Sequence, residues 1–282
     1  MRTHRTRTVF VVLVVTGLLT AVAGSAFGVT FGQPDGDDHP FVGLVYLETS
    51  DGVFRCSGTL VAPDVVLTAG HCTETAGVVN TRTWVTFDEE VVIPDEVLVL
   101  PDDEFGDWLD TQANFIKGQA VPHPQFDDFA QFPLIFDIGA VVLEEAQNGI
   151  GLAALPSSDV LGSLKGRDKT DFHVVGYGLQ GFINPFFGSE RARYRGDVRL
   201  IEVKSNWTGK GLASAKFTNN PGNGSGTGGS CFGDSGGPVF HGDDTVVAVV
   251  SFGNTPCIGV DFQYRVDTAD SIAFIQGVIA GS

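Results

Sequence analysis

Short runs of β-branched and aromatic residues, each bounded by Gly, Pro, Asp or Asn, recur along most of the chain. Runs of this kind are typical of β-strands, and long stretches with helical spacing are scarce. The exception is residues 268–279, whose apolar positions follow a helical spacing. The pattern therefore predicts an all-β protein with a C-terminal helix. The predicted strands include residues 42–47, 58–61, 65–68, 91–93, 140–143, 174–177, 198–203 and 246–252.

The first residues have a different pattern. Arg2, Arg5 and Arg7 precede an apolar run over residues 9–22, and small residues follow as far as Gly28. This layout is typical of a secretory signal peptide, and the run is too short to span a bilayer comfortably. We therefore predict that residues 1–28 are a signal peptide, that the protein is secreted, and that it has no membrane association once the peptide is removed.

Composition bounds the remaining possibilities. The chain has 282 residues, 43% of them hydrophobic, and a formal net charge of -17. That length and apolar content suffice for one large or two modest folded domains. Removing the signal peptide takes away three arginines and no acids, so the charge becomes about -20. This acidity argues against a nucleic-acid partner, because phosphate backbones attract basic surfaces.

Four cysteines remain in the exported part of the chain. An even number in an oxidising compartment favours two disulfides, although the spacing alone leaves three possible pairings. A metal site is the alternative, but no Cys-x-x-Cys motif or His-rich cluster supports it. We therefore predict no metal.

The strongest chemical signal is Gly-Ser-Cys-Phe-Gly-Asp-Ser-Gly-Gly-Pro at residues 229–238. Glycines around Ser235 allow a tight turn that exposes the side chain and its neighbouring amides. A lone Gly-x-Ser-x-Gly would also fit an ordinary turn. A serine nucleophile needs a histidine base and a third group that orients the base. The chain offers both, at Thr68-Ala-Gly-His71-Cys72 and at Phe136-Asp137-Ile138.

Together these motifs, in the order His, Asp, Ser, resemble those of the trypsin-like (chymotrypsin-fold) secreted serine proteases. The resemblance implies two antiparallel β-barrels with a cleft between them and a C-terminal helix. Residues 29–150 would form the N-terminal barrel that carries His71 and Asp137. Residues 151–282 would form the C-terminal barrel that carries Ser235, followed by the helix. The expected protein is a monomer that acts on polypeptides and needs no cofactor.

The resemblance also assigns the catalytic roles. Ser235 would attack the peptide carbonyl, His71 would take its proton, and Asp137 would orient the imidazole. The backbone amides of Gly233 and Ser235 would form the oxyanion hole. The family's disulfides imply that Cys56 pairs with Cys72 and that Cys231 pairs with Cys257.

Substrate contacts follow from the same resemblance. Ser251, Phe252 and Gly253 would form the strand along which the substrate pairs. Gly229 and Ser230 would lie at the floor of the primary specificity pocket, where trypsin itself has an aspartate. We therefore expect an uncharged floor. Asp261, in the segment 259–264 that should form the back wall, would restore a preference for basic side chains if it pointed inward.

The start of the mature chain completes the resemblance. Residues 29–32 and 39–43 look like the family's mature N-terminal segment, in which the free ammonium group pairs with the aspartate before the nucleophile. Here the pair would be Val29 and Asp234, which would satisfy a carboxylate that is costly to bury alone. We expect cleavage after Gly28. Cleavage after Ala26 followed by trimming is the alternative.

The segment between His71 and Asp137 is longer than in a minimal member of the family. Residues 88–110 hold ten acids and no Lys or Arg. We expect a solvated surface insertion. A calcium loop is the alternative, since hard cations take carboxylate oxygens, but the acids follow no recognisable loop motif.

Two rival functions remain open from the sequence. A catalytically silent homologue could use the same fold to bind a partner, because fold does not guarantee activity. An esterase or other acyl hydrolase is the second rival, although the contexts of His71 and Asp137 argue against the usual esterase fold.

Overall fold

The computed structural model describes residues 28–74, 80–165, 171–183, 186–219 and 228–282. The predicted signal peptide lies outside the described residues except for Gly28. Within the described residues no helix is both long enough and apolar enough to cross a membrane.

The described chain is built mainly of β-strands. The first group consists of β1 (Gln33–Pro34), β2 (Val42–Thr49), β3 (Gly52–Ala62), β4 (Val65–Thr68), β5 (Asn80–Thr86), β6 (Ile116–Pro122) and β7 (Gly139–Leu143). The second group consists of β8 (Phe172–Gly176), β9 (Gly181–Ile183), β10 (Phe186–Gly188), β11 (Tyr194–Val198), β12 (Leu200–Glu202), β13 (Ser214–Asn219), β14 (Pro238–His241), β15 (Thr245–Gly253) and β16 (Gly259–Arg265).

Helices are short apart from the last. They are α1 (Gly28–Phe31), α2 (Asp102–Leu109), α3 (Val160–Ser163) and α4 (Ala269–Gly281), with 3₁₀ turns at Gly70–Cys72 and Gly209–Gly211. The dihedral angles of Val29 and Thr30 are not helical, so α1 is a kinked turn. The side chain of Thr268 accepts a hydrogen bond from the Ser271 amide at 3.1 Å and caps the start of α4.

Six strands close into an antiparallel barrel in the order β2, β3, β4, β7, β6, β5. Its interior is filled by fully buried aliphatic and aromatic side chains, among them Leu44, Leu60, Leu67, Trp84 and Ile138. Burial along β3 changes from partly exposed near Gly52 to complete by Ala62. The β2–β3 hairpin therefore reaches out of the core at its turn, which brings Phe54 and Arg55 towards solvent.

The second half is an eight-stranded sheet in the order β1, β11, β8, β14, β15, β16, β13, β12. Among the described residues its pairings leave a half-barrel, whereas the first half is closed. The predicted all-β fold with a C-terminal helix is confirmed. The family-based disulfide pairs, Cys56 with Cys72 and Cys231 with Cys257, are both present.

Buried polar contacts join the two halves. Arg193, which is 2% exposed, donates to the carbonyl of Val42 at 3.1 Å and to the carboxylate of Asp35 at 3.1 Å. The hydroxyl of Tyr177 lies 2.7 Å from the carbonyl oxygen of Asp88 and 3.2 Å from that of Val42, and it can donate its one hydrogen to either. The contacts with Val42 and Asp88 run from residues beside β11 and β8 to the first barrel, so they hold the halves in a defined orientation.

The chain crosses between the halves at both ends. Strand β1 pairs with β11 of the second sheet, although it precedes the first barrel. Phe274 in α4 contacts the ring of His123, which follows β6, at 5.0 Å. The predicted division at residues 150 and 151 stays a prediction.

Residues 88–110 are more structured than the expected surface insertion. They contain α2, whose Phe105 and Leu109 are buried and pack near Tyr46. Asp102, Asp103 and Glu104 lie in the first turn, where acids suit the helix dipole. The acids near the C-terminal end are neutralised instead by ion pairs of Arg82 with Asp107 and Asp110 and of Lys117 with Asp110.

Candidate active site

His71 and Asp137 meet at the edge of the first barrel. His71 lies in the 3₁₀ turn after β4, and Asp137 lies in the loop that precedes β7. The Asp137 carboxylate is fully buried and accepts a hydrogen bond from the His71 amide at 2.9 Å. The imidazole Nδ1 lies 3.0 Å from each carboxylate oxygen. Both contacts fix the ring orientation and leave Nε2 for another partner.

Ser251 adds a third contact to the same carboxylate. Its hydroxyl, on β15 of the second sheet, donates to Asp137 Oδ2 at 2.5 Å. One buried carboxylate thus receives hydrogen bonds from both halves of the fold.

These contacts shift the ionisation of both groups. Burial disfavours the imidazolium, but the charge of Asp137 and its hydrogen bond outweigh this effect and raise the pKa of His71 above its usual value. Burial alone would raise the pKa of Asp137, yet the His71 charge and the hydrogen bonds from His71 and Ser251 lower it. The pair therefore favours a charged carboxylate beside a histidine that accepts a proton readily.

Ser235 is presented by a tight loop between the Cys231 disulfide and β14. The Asp234 amide donates to the Cys231 carbonyl at 3.0 Å, and the Gly237 amide donates to the Asp234 carbonyl at 2.8 Å. Gly233 has a φ of 96°, which L side chains rarely adopt. The Ser57 amide on β3 donates to the Ser235 carbonyl at 2.8 Å, so the first barrel holds the loop in place.

The amides of Gly233 and Ser235 are free to bind a ligand. Neither donates a hydrogen bond to any described protein group. Both residues are partly exposed and line the cavity, so their amides are open to solvent or to a bound ligand. This is the arrangement expected of an oxyanion hole.

His71 and Ser235 line one cavity of about 670 Å³ between the halves. The cavity is also lined by Ser230, Ser251, Phe252 and Gly253, all expected from the sequence to contact substrate. Among the described contacts no hydrogen bond joins the Ser235 hydroxyl to the His71 ring. Catalytic hydrogen bonds are often long before substrate binds.

Asp234 lies directly behind the nucleophile. Its fully buried carboxylate accepts from the amides of Gly178 at 2.8 Å and Cys231 at 2.9 Å. It has no ion pair in the described part of the chain, and burial raises its pKa to about 7. Val29 is also fully buried, and the next residue, Thr30, bridges to Gly229. No hydrogen bond joins Val29 to Asp234 among the described residues.

Three side chains meet behind the pocket wall at Ser230. The Ser230 hydroxyl donates to Asp261 Oδ2 at 2.6 Å, and Asn219 Nδ2 donates to the Ser230 carbonyl at 2.8 Å. The position of Gly229 has no room for a side chain, because a Cβ there would lie 1.8 Å from Asn219 Oδ1. Asp261 therefore points toward Ser230, which lines the cavity, while Asp261 itself is buried behind it.

Two residues at the site, Asn219 and Arg55, could not be assigned a role from the sequence. Asn219 is ten residues before Gly229 and carries no motif, and Arg55, which also lines the cavity, precedes Cys56 on an ordinary strand.

The one described cluster with metal-ligating residue types is Cys56, His71 and Cys72. Its two cysteines are joined in a disulfide and so cannot supply thiolate ligands.

Replacing Asp137 by Asn should lower the pKa of His71 by about one unit or more, because the opposite charge that favours the imidazolium is lost. The measurement is an NMR titration of the His71 ring protons. Wild-type His71 should stay protonated above the usual histidine range. Asp270→Asn removes an acid beside His123 instead and should leave His71 unchanged. Identical His71 titrations in wild type and Asp137→Asn would contradict the assignment.

Comparison with known proteins places this geometry in a family. The sequence model of the family described as Trypsin matches residues 31–271. A solved structure described as HL collagenase is similar to this chain, with a TM-score of 0.65 at 16% identity over 89% of this chain and 99% of that chain. At that identity the structural likeness shows the fold alone. The family match spans most of the sequence, and the chain belongs to the trypsin family.

Proposed function

We propose that the protein is a secreted serine endopeptidase. The observation that carries the proposal is the buried Asp137, which holds His71 at a cavity that also contains Ser235 and two unpaired amides. The trypsin-like fold supports a serine peptidase. The two disulfides suit export to an oxidising compartment.

The chemistry follows from the positions of these groups. The Ser235 hydroxyl attacks the peptide carbonyl carbon, and its proton passes to His71 Nε2 while Asp137 stabilises the imidazolium. The carbonyl oxygen becomes an oxyanion that accepts hydrogen bonds from the amides of Gly233 and Ser235. Each such donor contributes about 10²- to 10³-fold in rate in related sites.

The second half of the reaction regenerates the enzyme. The tetrahedral intermediate expels the amine, which takes the proton from His71, and leaves an acyl ester on Ser235. Water then attacks the ester with His71 as base, and the acid product departs. The mechanism requires the hydrogen bond between Ser235 and His71 to form in the substrate complex.

Ser235→Ala should lower kcat on a cleaved peptide by at least about 10³-fold and abolish labelling by a fluorophosphonate, because it removes the nucleophile. Ser282→Ala, at the exposed C-terminus, should retain both activities. A wild-type protein that is folded yet fails to react would favour the silent homologue. Hydrolysis of esters without any peptide cleavage would favour an esterase.

We also propose that the mature N-terminus activates the site. Both Asp234 and Val29 are buried. The charge of Arg55 offsets the burial of Asp234 only in part, and no described cation contacts the carboxylate directly. An ammonium group at Val29 would supply that contact and stabilise the loop that carries Gly233. Because the pKa of Asp234 is raised to about 7 in the uncleaved chain, pairing with the ammonium should lower it.

N-terminal sequencing of the active protein should therefore begin at Val29. Adding one residue before Val29 should lower kcat/KM by about tenfold or more, because the buried charge pair is lost. Adding one residue after Ser282 is the matched control and should have no effect. An active protein that begins far from Val29 would remove this proposal.

The pocket behind Ser230 indicates the substrate preference. Asp261 is 1% exposed, and its Oδ1 has no hydrogen-bond partner among the described groups. Asn219 Oδ1 is likewise buried and unpaired. Burial raises the pKa of Asp261 to about 7, since the hydrogen bond from Ser230 compensates only in part. A Lys or Arg side chain would bring both a charge and the missing donors, so we propose cleavage after basic residues despite Gly229.

Peptides with Lys or Arg before the scissile bond should be cleaved with about tenfold or greater kcat/KM than matched peptides with norleucine or citrulline, since hydrogen bonds to charged groups are the stronger kind. The ratio should increase as pH rises through about 7, because Asp261 then loses its proton. Asp261→Asn should bring the ratio close to one, whereas Asp244→Asn, at an exposed position, should not change it. Equal cleavage of both peptide types by wild type would exclude the basic preference.

A further inference from the structure

A second charged side chain faces the cavity beside the nucleophile loop. Arg55 lines the cavity, and its Nε lies 3.0 Å from the position that a Cβ on Gly233 would occupy. We propose that Arg55 forms a subsite for an acidic side chain on the leaving-group side of the polypeptide substrate. This inference rests on the proposed peptidase function and names a recognition site within it.

Arg55 has no acid in direct contact among the described residues. In the part of the chain that the structure describes it makes no hydrogen bond and no ion pair, whereas Arg82, Arg193 and Arg265 each contact a carboxylate. Burial lowers the pKa of Arg55 and outweighs the opposing effects of Tyr46 and of the Asp234 charge. A guanidinium has a planar fork of N–H donors that matches a carboxylate. An incoming carboxylate would therefore supply both acceptors and charge.

A neighbouring arginine strengthens the local positive potential. The Arg191 guanidinium donates to the Tyr46 hydroxyl at 3.1 Å, and Tyr46 is the residue that pairs with Arg55 across β2 and β3. The charge of Arg191 disfavours the charged form of Arg55. Arg191 also has no ion pair among the described residues. Asp234 offsets this positive charge from a distance, but no described acid contacts either guanidinium, so an incoming anion could pair with Arg55 directly.

The walls of the cavity indicate which part of the substrate meets Arg55. Ser230 and the segment from Ser251 to Thr255 form one flank, where the acyl part of the substrate is proposed to lie. The β2–β3 hairpin forms the other flank, with Phe54 and Arg55. With Ser235 between the flanks, the residues after the scissile bond must pass over the hairpin. An extended peptide advances about 3.3 Å per residue, so Arg55 is within reach of the first two.

The surroundings favour a side chain with an aliphatic stem and an acidic end. Phe54 is 50% exposed and Phe232 is 52% exposed, and both line the cavity. Asp51 and Glu74 also line it, but they are exposed to solvent, where their charges are screened. The Arg55 guanidinium is partly buried, so it acts on a bound carboxylate through a less screened environment.

The test uses internally quenched peptides with Lys before the scissile bond and Glu, Gln or Lys at the first or the second leaving-side position. Wild type should cleave a Glu peptide with about tenfold higher kcat/KM than its Gln match, since a hydrogen-bonded charge pair is involved. Arg55→Gln should bring the ratio close to one, and Arg55→Lys should keep part of it. Arg199→Gln removes the same charge from an exposed site and should keep the full ratio.

An anilide with the same acyl part separates this proposal from the peptidase proposal, because it has no residue after the scissile bond. Hydrolysis of the anilide with equal cleavage of Glu and Gln peptides would overturn the Arg55 subsite alone. Failure to hydrolyse any substrate, without labelling of Ser235, would overturn both proposals. A Glu preference that persists in Arg55→Gln would place the subsite elsewhere.

A wild-type measurement covers the case in which the variants do not fold. The Glu-to-Gln ratio should fall toward one as ionic strength rises from about 0.05 M to about 1 M, because the Debye length shortens from more than 10 Å to about 3 Å. A ratio that does not change with salt would contradict a charge-based subsite.

Discussion

The fold places a negative charge where water cannot reach it, and the site depends on how that charge is satisfied. Asp137 is fully buried, and its carboxylate accepts from the amide and ring of His71 and from the hydroxyl of Ser251. A buried charge is tolerated only with such partners. Because one donor comes from the second sheet, the docking of the two halves also fixes the imidazole. Any change that separates the halves would remove a partner of the Asp137 carboxylate and free the His71 imidazole.

Other charges at the cleft contrast with those in the rest of the molecule. The buried Arg193 and Arg265 are each paired with an aspartate. Asp234, Asp261 and Arg55 lie around the nucleophile and have no ion pair among the described residues, and the charges of Asp234 and Arg55 act on each other only from a distance. Unpaired buried charge destabilises a fold, so its concentration at one place suggests partners that arrive from elsewhere. In the proposals above, a new N-terminus would pair with Asp234, and a basic and an acidic side chain of one substrate would pair with Asp261 and Arg55.

The sequence predicts those parts of the site that depend on local motifs. Ser235 lies between two glycines with positive φ, Gly233 and Gly236, and His71 directly precedes a disulfide cysteine, so both could be found from short strings. Asn219 could not, because its importance comes from the contact with Ser230 across the sheet. Helix α2 was missed for a similar reason. Acids at its C-terminal end oppose the helix dipole, and the cations that compensate them, Arg82 and Lys117, lie on strands β5 and β6.

The overall charge acts on the two proposed subsites in opposite directions. A chain of net charge -17 draws basic peptides towards its surface and repels acidic ones. At physiological ionic strength this field decays within about 8 Å, so it affects encounter more than the bound complex. Once a basic side chain occupies the pocket at Asp261, its short-range contacts there determine binding more than the long-range field does. On these two proposals Arg55 binds an acidic residue that the protein's surface would otherwise repel, and the preferred substrate would carry opposite charges on the two sides of the scissile bond.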